Sequence, residues 1–244
     1  MEKGIYLSVV IPVYNEEKVI RKTLLDVNDF FANKNYNSEI IVVDDGSSDN
    51  TVAIAKNLKS IIKNLAILEN GKNYGKGYSV KKGILAANGR YRLFMDADNS
   101  AKIEQVSKFI PFLKSGYDIV IGDRDIKGSK IKKRQPFYKE VLGDMGNVFI
   151  RLLAVPGIND TQCGFKCFSG KFAEDIFPRL TVSRWGFDIE ILALANKFEY
   201  KIKSAPIVWE NRKNSNVRLK DYILTLIDLF KIKINLIRKK YDKK

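Results

Sequence analysis

Histidine is missing from all 244 residues, and only two cysteines, Cys163 and Cys167, are present. Without an imidazole there is no Ser-His-Asp or Cys-His relay and no HExxH metal site, so catalysis falls to carboxylates, cations, phosphates or a metal held by oxygen. Two cysteines fall short of a four-ligand zinc site and of a secreted disulfide framework, and they read as buried, reduced thiols. No apolar run approaches the roughly 18 residues needed to cross a bilayer, because charges interrupt each one. The first residues, MEKGIYLSVVIPVYNEE, lack the small-residue cleavage site of a signal peptide. The expectation is a cytoplasmic protein with no transmembrane segment. Acidic residues are scarce as well: 28 Asp+Glu face 43 Lys+Arg, a net charge of +15. That excess points to an anionic partner, whether nucleic acid, anionic lipid or a phosphorylated substrate. An apolar content of 45% is ample for a buried core at this length.

Strand and helix signals alternate along the chain. Tyr6 to Val13 is a short β-branched run, and the segment after it carries Val19, Ile20, Leu24, Val27, Phe30 and Phe31 at helical spacing. Residues 39–43, 65–68 and 91–95 predict further strands, and 51–62 and 78–87 further helices, with Asp49 or Asn50 as cap of the first. Beyond Asp98 the pattern predicts a helix near 104–113, a strand at 118–121, a basic loop at 123–136 and a helix near 137–153. An extended stretch at 160–168, a helix at 187–197 and a strand at 200–208 follow. Strands separated by helices imply a mostly parallel sheet covered on both faces, with ligands at the carboxyl ends of its strands.

Acidic residues fall at two such strand ends, Asp44 and Asp45 after EIIVV, and Asp96 and Asp98 after YRLFM. Neighbouring carboxylates repel one another unless a cation or donor groups share the site, so a divalent metal bound by oxygen is a natural explanation, with a nucleoside diphosphate completing the charge balance. Each motif alone also reads as an ordinary turn or helix cap. Their joint placement after separate strands is what points to a site.

The motifs VVIPVYNEE, IIVVDDGSSDNT, NYGKGYSVKKGILAANG and FMDAD, in this order, resemble the family 2 glycosyltransferases of the GT-A fold. The later segments GDRDIKGS, RQPFYKEVLG, DTQCGFKCF and GFDIEIL are similar to the dolichyl-phosphate or polyprenyl-phosphate β-glucosyltransferases, next to the polyprenyl-phosphate mannose synthases. The resemblance implies an α/β GT-A domain, Rossmann-like, over residues 1–211. It implies a nucleotide-sugar site from Pro12, Tyr14, Glu16, Asp44, Lys76, Asp96, Ala97 and Asp98, with Arg212 and Arg218 closing over it. Asp44 would bind the base, while Asp45 shapes its turn. Asp96 and Asp98 would hold Mg²⁺ or Mn²⁺, Asp98 as the direct ligand. Ser100 stands where mannose synthases often carry glutamine, which disfavours mannose. Arg124 and Arg134 would meet the acceptor phosphate, and Asp188 or Glu190 is an acid near the acceptor. On a helix, positions two apart do not share a face, so only one of these acids should enter the site.

The implied reaction moves a hexose, glucose from UDP-glucose in first place, onto a polyprenyl or dolichyl phosphate with inversion. A phosphomonoester, with a second pKa near about 6, needs no general base. GDP-mannose as donor, or a soluble glycan or protein hydroxyl as acceptor, is the alternative, and the latter would make Asp188 or Glu190 essential as base. No nucleic acid is expected, since no binding motif is seen and strand-end acids would repel its backbone. Residues 212–244 form a separate extension with eleven Lys+Arg, three Asp and apolar residues at helical spacing from Leu219 to Ile237. It reads as a basic amphipathic helix that either packs on the domain or a second subunit, or adsorbs to an anionic membrane surface, making the protein peripheral.

Overall fold

The structure, a computed structural model, describes residues 4–132, 150, 153–210 and 219–242. Nine strands occur among them: β1 Leu7–Val13, β2 Ser38–Asp44, β3 Leu65–Glu69, β4 Tyr91–Met95, β5 Ile119–Asp123, β6 Lys130–Ile131, β7 Phe165–Ser169, β8 Ile202–Pro206 and β9 Val208–Trp209. The helices are α1 Ile20–Ala32, α2 Thr51–Asn57, α3 Lys76–Ala86, α4 Val106–Lys114, α5 Gly170–Ile176, α6 Phe187–Lys197 and α7 Leu219–Ile237. Most of the helix expected near residues 137–153 lies outside the described residues. The strand expected at 200–208 is divided: Pro206 closes β8 without a ladder donor, and the chain then pairs β9 with β6 in a separate two-stranded sheet.

The main sheet has seven strands in the order β3-β2-β1-β4-β7-β5-β8. Its members run parallel except β7, which is antiparallel to both β4 and β5. Alternation along each strand feeds two cores. Val9 and Ile11 of β1 and Ile40 and Val42 of β2 join α1 and α4 on one face. Val10, Ile41 and Val43 face the other way, toward Val80 and Ile84 of α3 and the buried stripes of α5, α6 and α7. Leu229 and Ile232 of α7 and Tyr241 beyond it belong to that second core. The C-terminal helix is therefore packed on the sheet's own helices along one of its faces.

The direction of β7 has a consequence for the site. In a parallel strand the carboxyl end faces the ligand edge; in β7 it is the entry end, because Phe165 pairs with Met95 at the carboxyl end of β4. Residues 160–164, just before β7, are thereby delivered to Asp96 and to the end of β5.

Candidate active site

Four chain segments meet at the carboxyl ends of β1, β2 and β4. Asn15, at φ 56°, turns the chain after β1, and the turn is laced to the loop after β2. Asn15 N–H donates to Ser47 Oγ at 2.9 Å, Glu16 N–H to Thr51 Oγ1 at 2.8 Å, and Glu17 N–H to Asp49 Oδ2 at 3.1 Å. Pro12 is buried in β1, while Tyr14 is 43% exposed and free to stack on a planar group. Asp49 caps α2 through Thr51 N–H at 3.0 Å.

The two acids after β2 divide their work differently from the sequence reading. Asp44 holds the turn itself, accepting Gly46 N–H at 3.0 Å and Ser47 N–H at 3.1 Å. Asp45 reaches across to the next loop, accepting Asn70 Nδ2 and Tyr74 N–H at 3.0 Å and Gly75 N–H at 2.8 Å. That loop enters α3 through Gly75, whose φ of 103° and close approach to the Ser183 carbonyl leave no place for a side chain.

Lys76, the first residue of α3, places its Nζ 2.6 Å from Asp96 Oδ1. Burial works against this ammonium, but Asp96, Asp188 and Asp98 outweigh it and raise its pKa. The Trp185 ring lies 4.8 Å from Nζ. Asp98 is held by Ser100, whose N–H donates to Oδ1 at 2.9 Å and Oγ to Oδ2 at 2.7 Å. Burial and the neighbouring Asp96 raise the Asp98 pKa. Glu16 is pushed up to about 7 by burial, then by the charges of Asp98, Asp96 and Asp49. Ala97 is buried between the two aspartates, its carbonyl taken by Thr23 Oγ1 at 2.6 Å.

Sequence reasoning missed Gly164. A Cβ there would fall 1.9 Å from Asp96 Oδ2, so the glycine makes room for that carboxylate, while its carbonyl accepts Asp96 N–H at 3.1 Å. The DTQCGF motif was the available signal, but only the antiparallel course of β7 brings it to Asp96. Asp160, in the same segment, clamps Arg124: Nε to Oδ2 is 2.6 Å and Nη2 to Oδ1 is 2.8 Å. The guanidinium also lies 5.0 Å from the Trp209 ring and is held protonated by this pairing. Among the described residues Asp160 takes two of its five donors, and a guanidinium with donors to spare suits an anion.

Asp188 and Glu190 point to different partners. Asp188, 3% exposed, forms a buried ion pair with Lys166 at 2.5 Å. Burial raises its pKa although Lys166 and Lys76 pull it down. Its carboxylate is paired with Lys166, and its charge also acts on Lys76. Glu190 accepts Thr181 N–H and Oγ1, Val182 N–H and the Tyr241 hydroxyl, a wholly structural set. Lys130 and Lys132 are exposed. Arg134, Arg212 and Arg218 lie outside the described residues.

The site therefore brings Glu16, Asp96 and Asp98 together beside the ammonium of Lys76, and the charge of Asp96 adds to the proton affinity of Glu16 and Asp98. Among the described residues no three Asp, Glu, His or Cys side chains form a metal cage. Two carboxylates are nevertheless the protein's usual share when a hard cation takes its remaining ligands from substrate phosphates and water. The oxygen donors fit such a cation.

Comparison with known proteins gives the same direction. Residues 8–177 match the family model described as glycosyl transferase family 2. A dolichyl-phosphate beta-glucosyltransferase of Dictyostelium discoideum is 36% identical over 84% of this chain and 67% of its own length. The enzyme of the same name from Saccharomyces cerevisiae is 34% identical over 89% of this chain and 71% of its own. Among solved structures, glucosyl-3-phosphoglycerate synthase from Mycobacterium tuberculosis, in complex with Mn²⁺, uridine diphosphate and phosphoglyceric acid, superposes with a TM-score of 0.65 at 17% identity, covering 94% of this chain and 77% of that one. The fold is that of the GT-A glycosyltransferases.

Proposed function

The chain belongs to glycosyl transferase family 2, and on that premise we propose that it is an inverting glucosyltransferase moving glucose from UDP-glucose to a dolichyl or polyprenyl phosphate at the cytoplasmic membrane face. Relatives named for transfer to dolichyl phosphate over most of the chain support the acceptor class. The single observation that carries the reading is the charge arrangement at the carboxyl end of β4, where Asp96 and Asp98 stand beside Lys76 and the proton-retaining Glu16. Opposed charges in that order suit a diphosphate held partly by a cation and partly by an ammonium.

In this proposal Tyr14 packs on the uracil or ribose, Asp44 meets the base, and Glu16 accepts a ribose hydroxyl. Asp96 and Asp98 hold Mg²⁺ or Mn²⁺, which supplies Lewis-acid stabilisation of the departing nucleoside diphosphate. Lys76, exchanging Asp96 for the diphosphate, adds a fixed positive charge where negative charge accumulates. Arg124, oriented by Asp160, presents its free N–H groups to the acceptor phosphate, whose ionised oxygen attacks C1 without a general base. Asp188, paired with Lys166, adds a negative charge that steadies Lys76. Arg134 at the acceptor, and Arg212 and Arg218 over the donor, complete the proposal, with residues 1–211 carrying the transferase site and 212–244 as an extension that packs on that domain and also serves the membrane.

The test is release of UDP from UDP-glucose with and without a polyprenyl phosphate. Stimulation by the lipid is expected, with Asp98→Asn lowering transfer by about a hundredfold or more while the circular dichroism stays native. Release indifferent to the lipid phosphate, or faster turnover of GDP-mannose, would overturn the assignment.

A further inference from the structure

Helix α7 carries two apolar faces, and among the described residues only one of them is packed. Asp228, Leu229, Ile232 and Asn235 are buried against the domain. On the opposite side Ile223, Ile227, Phe230, Ile234 and Ile237 follow one another at spacings of four and three, and each is between 47% and 70% exposed. Such spacing lays five large side chains in a straight stripe, about 21 Å long at 1.5 Å per residue.

The charges sort with the faces. Both acids of the helix, Asp221 and Asp228, stand on its packed side, where Asp228 lies 3.5 Å from Arg184. On the outward half, Lys231 and Arg238 border the stripe on one edge and Lys233 on the other, about 60–80° from its centre at 3.6 residues per turn. All three cations are exposed, and Lys231 Nζ also donates to the Thr181 carbonyl at 3.3 Å. A second copy of the helix laid on this stripe would bring Lys against Lys along both margins, the arrangement that opposes helix pairing. An anionic bilayer satisfies both features at once: the apolar side chains enter the acyl boundary and the cations lie among the phosphates.

The same helix reaches the site. Gly186 sits so close to Asp228 that a Cβ would come 2.6 Å from the Asp228 Cβ, and the adjoining Trp185 covers Lys76. A surface held by the outer stripe is thus connected through two contacts to the residue facing the donor diphosphate.

We propose that the outer stripe of α7, Ile223, Ile227, Phe230, Ile234 and Ile237 with Lys231, Lys233 and Arg238 at its margins, is the membrane-docking surface and that its partner is an anionic lipid leaflet. The inference rests on the reading that the acceptor is a lipid phosphate, and it names the residues that bring the site to it.

The experiment is co-sedimentation of the full chain with phosphatidylcholine vesicles, with and without phosphatidylglycerol, and needs neither donor nor acceptor. Binding to the anionic vesicles alone, weakened by salt, is expected. Phe230→Ser with Ile234→Ser, and separately Lys233→Glu with Arg238→Glu, should each reduce it by about tenfold or more without changing the thermal midpoint, since these side chains are exposed. Equal binding to neutral vesicles, or no binding, overturns the proposal. So does a concentration-dependent dimer in analytical ultracentrifugation that Phe230→Ser with Ile234→Ser abolishes, which would give the face to a second copy. Vesicle binding by a protein that transfers nothing to polyprenyl phosphate supports the surface and sinks the acceptor assignment; transfer without vesicle binding does the reverse.

Discussion

Glu16 shows how far one residue can be read in each direction. Its place in VVIPVYNEE points to a site, but its proton affinity arises from burial and then from the charges of Asp98, Asp96 and Asp49, which only folding brings about. The sign of the pH effect follows. An unfolded carboxyl ionises near 4.5 and this one near 7, so stability falls as pH rises between those values and levels off above them. After allowance for solvent screening the penalty is at most about 2 kcal/mol. Thermal midpoints should therefore fall from about pH 5 to about pH 8, Glu16→Gln should flatten the profile, and Mn²⁺ should flatten it in the parent protein by replacing the proton. An unchanged slope in Glu16→Gln would show that other groups set it. Gly164 gives a second prediction. Gly164→Ala forces the Asp96 carboxylate aside, so Mn²⁺ affinity measured calorimetrically with UDP should weaken by about tenfold while the protein stays folded. Unaltered affinity would mean that Asp96 moves without loss. The need for glycine at 164 was not legible, because it depends on a carboxylate nearly seventy positions earlier.

At the scale of elements, the alternation of short apolar runs with helical stripes was readable, and β4 and α6 stand where the periodicity put them. The reversal of β7 was not: Phe165 to Phe168 is buried throughout, and a strand buried on both faces has the same pattern in either direction. The division of labour within α6 was readable, because residues two apart on a helix diverge by roughly 200°. It makes a paired prediction. Glu190 is fixed by four donors from the 181–182 segment and Tyr241, so Glu190→Gln should lower stability by about 2–4 kcal/mol in urea with kcat within about threefold of the parent. Asp188→Asn leaves Lys166 buried without its counter-charge and loosens Lys76, so it should lower both stability and transfer. Equal activity losses in the two variants would undo this assignment of a structural face and a site face.

For the whole molecule the question is whether the C-terminal helix is an appendage or part of the fold. Composition from residue 212 onward suggests a boundary, because a helix with apolar residues on two sides and a large positive charge looks the same whether it packs inward or faces outward. The contacts give it both tasks at once. Leu229, Ile232 and Tyr241 are essentially solvent-free in the second core, Tyr241 donates to Glu190 at 2.7 Å, and Arg179 Nη1 donates to the Tyr241 carbonyl at 2.6 Å. Burying three such side chains contributes about 4.5–9 kcal/mol at roughly 1.5–3 kcal/mol each, comparable to the entire roughly 5–15 kcal/mol that holds a domain folded. A chain ended at Asn216 would also uncover Gly186 at the start of α6, which lies against Asp228, and leave Glu190 short of a donor. It should be recovered as an aggregate or a species without a cooperative thermal transition, and should bind no UDP. The full-length Phe230→Ser, Ile234→Ser protein, by contrast, loses only the outward stripe and should melt at the parent temperature and bind UDP as the parent does. A soluble, cooperatively melting and UDP-binding 1–216 fragment would show that residues 219–242 lean on the fold without sustaining it.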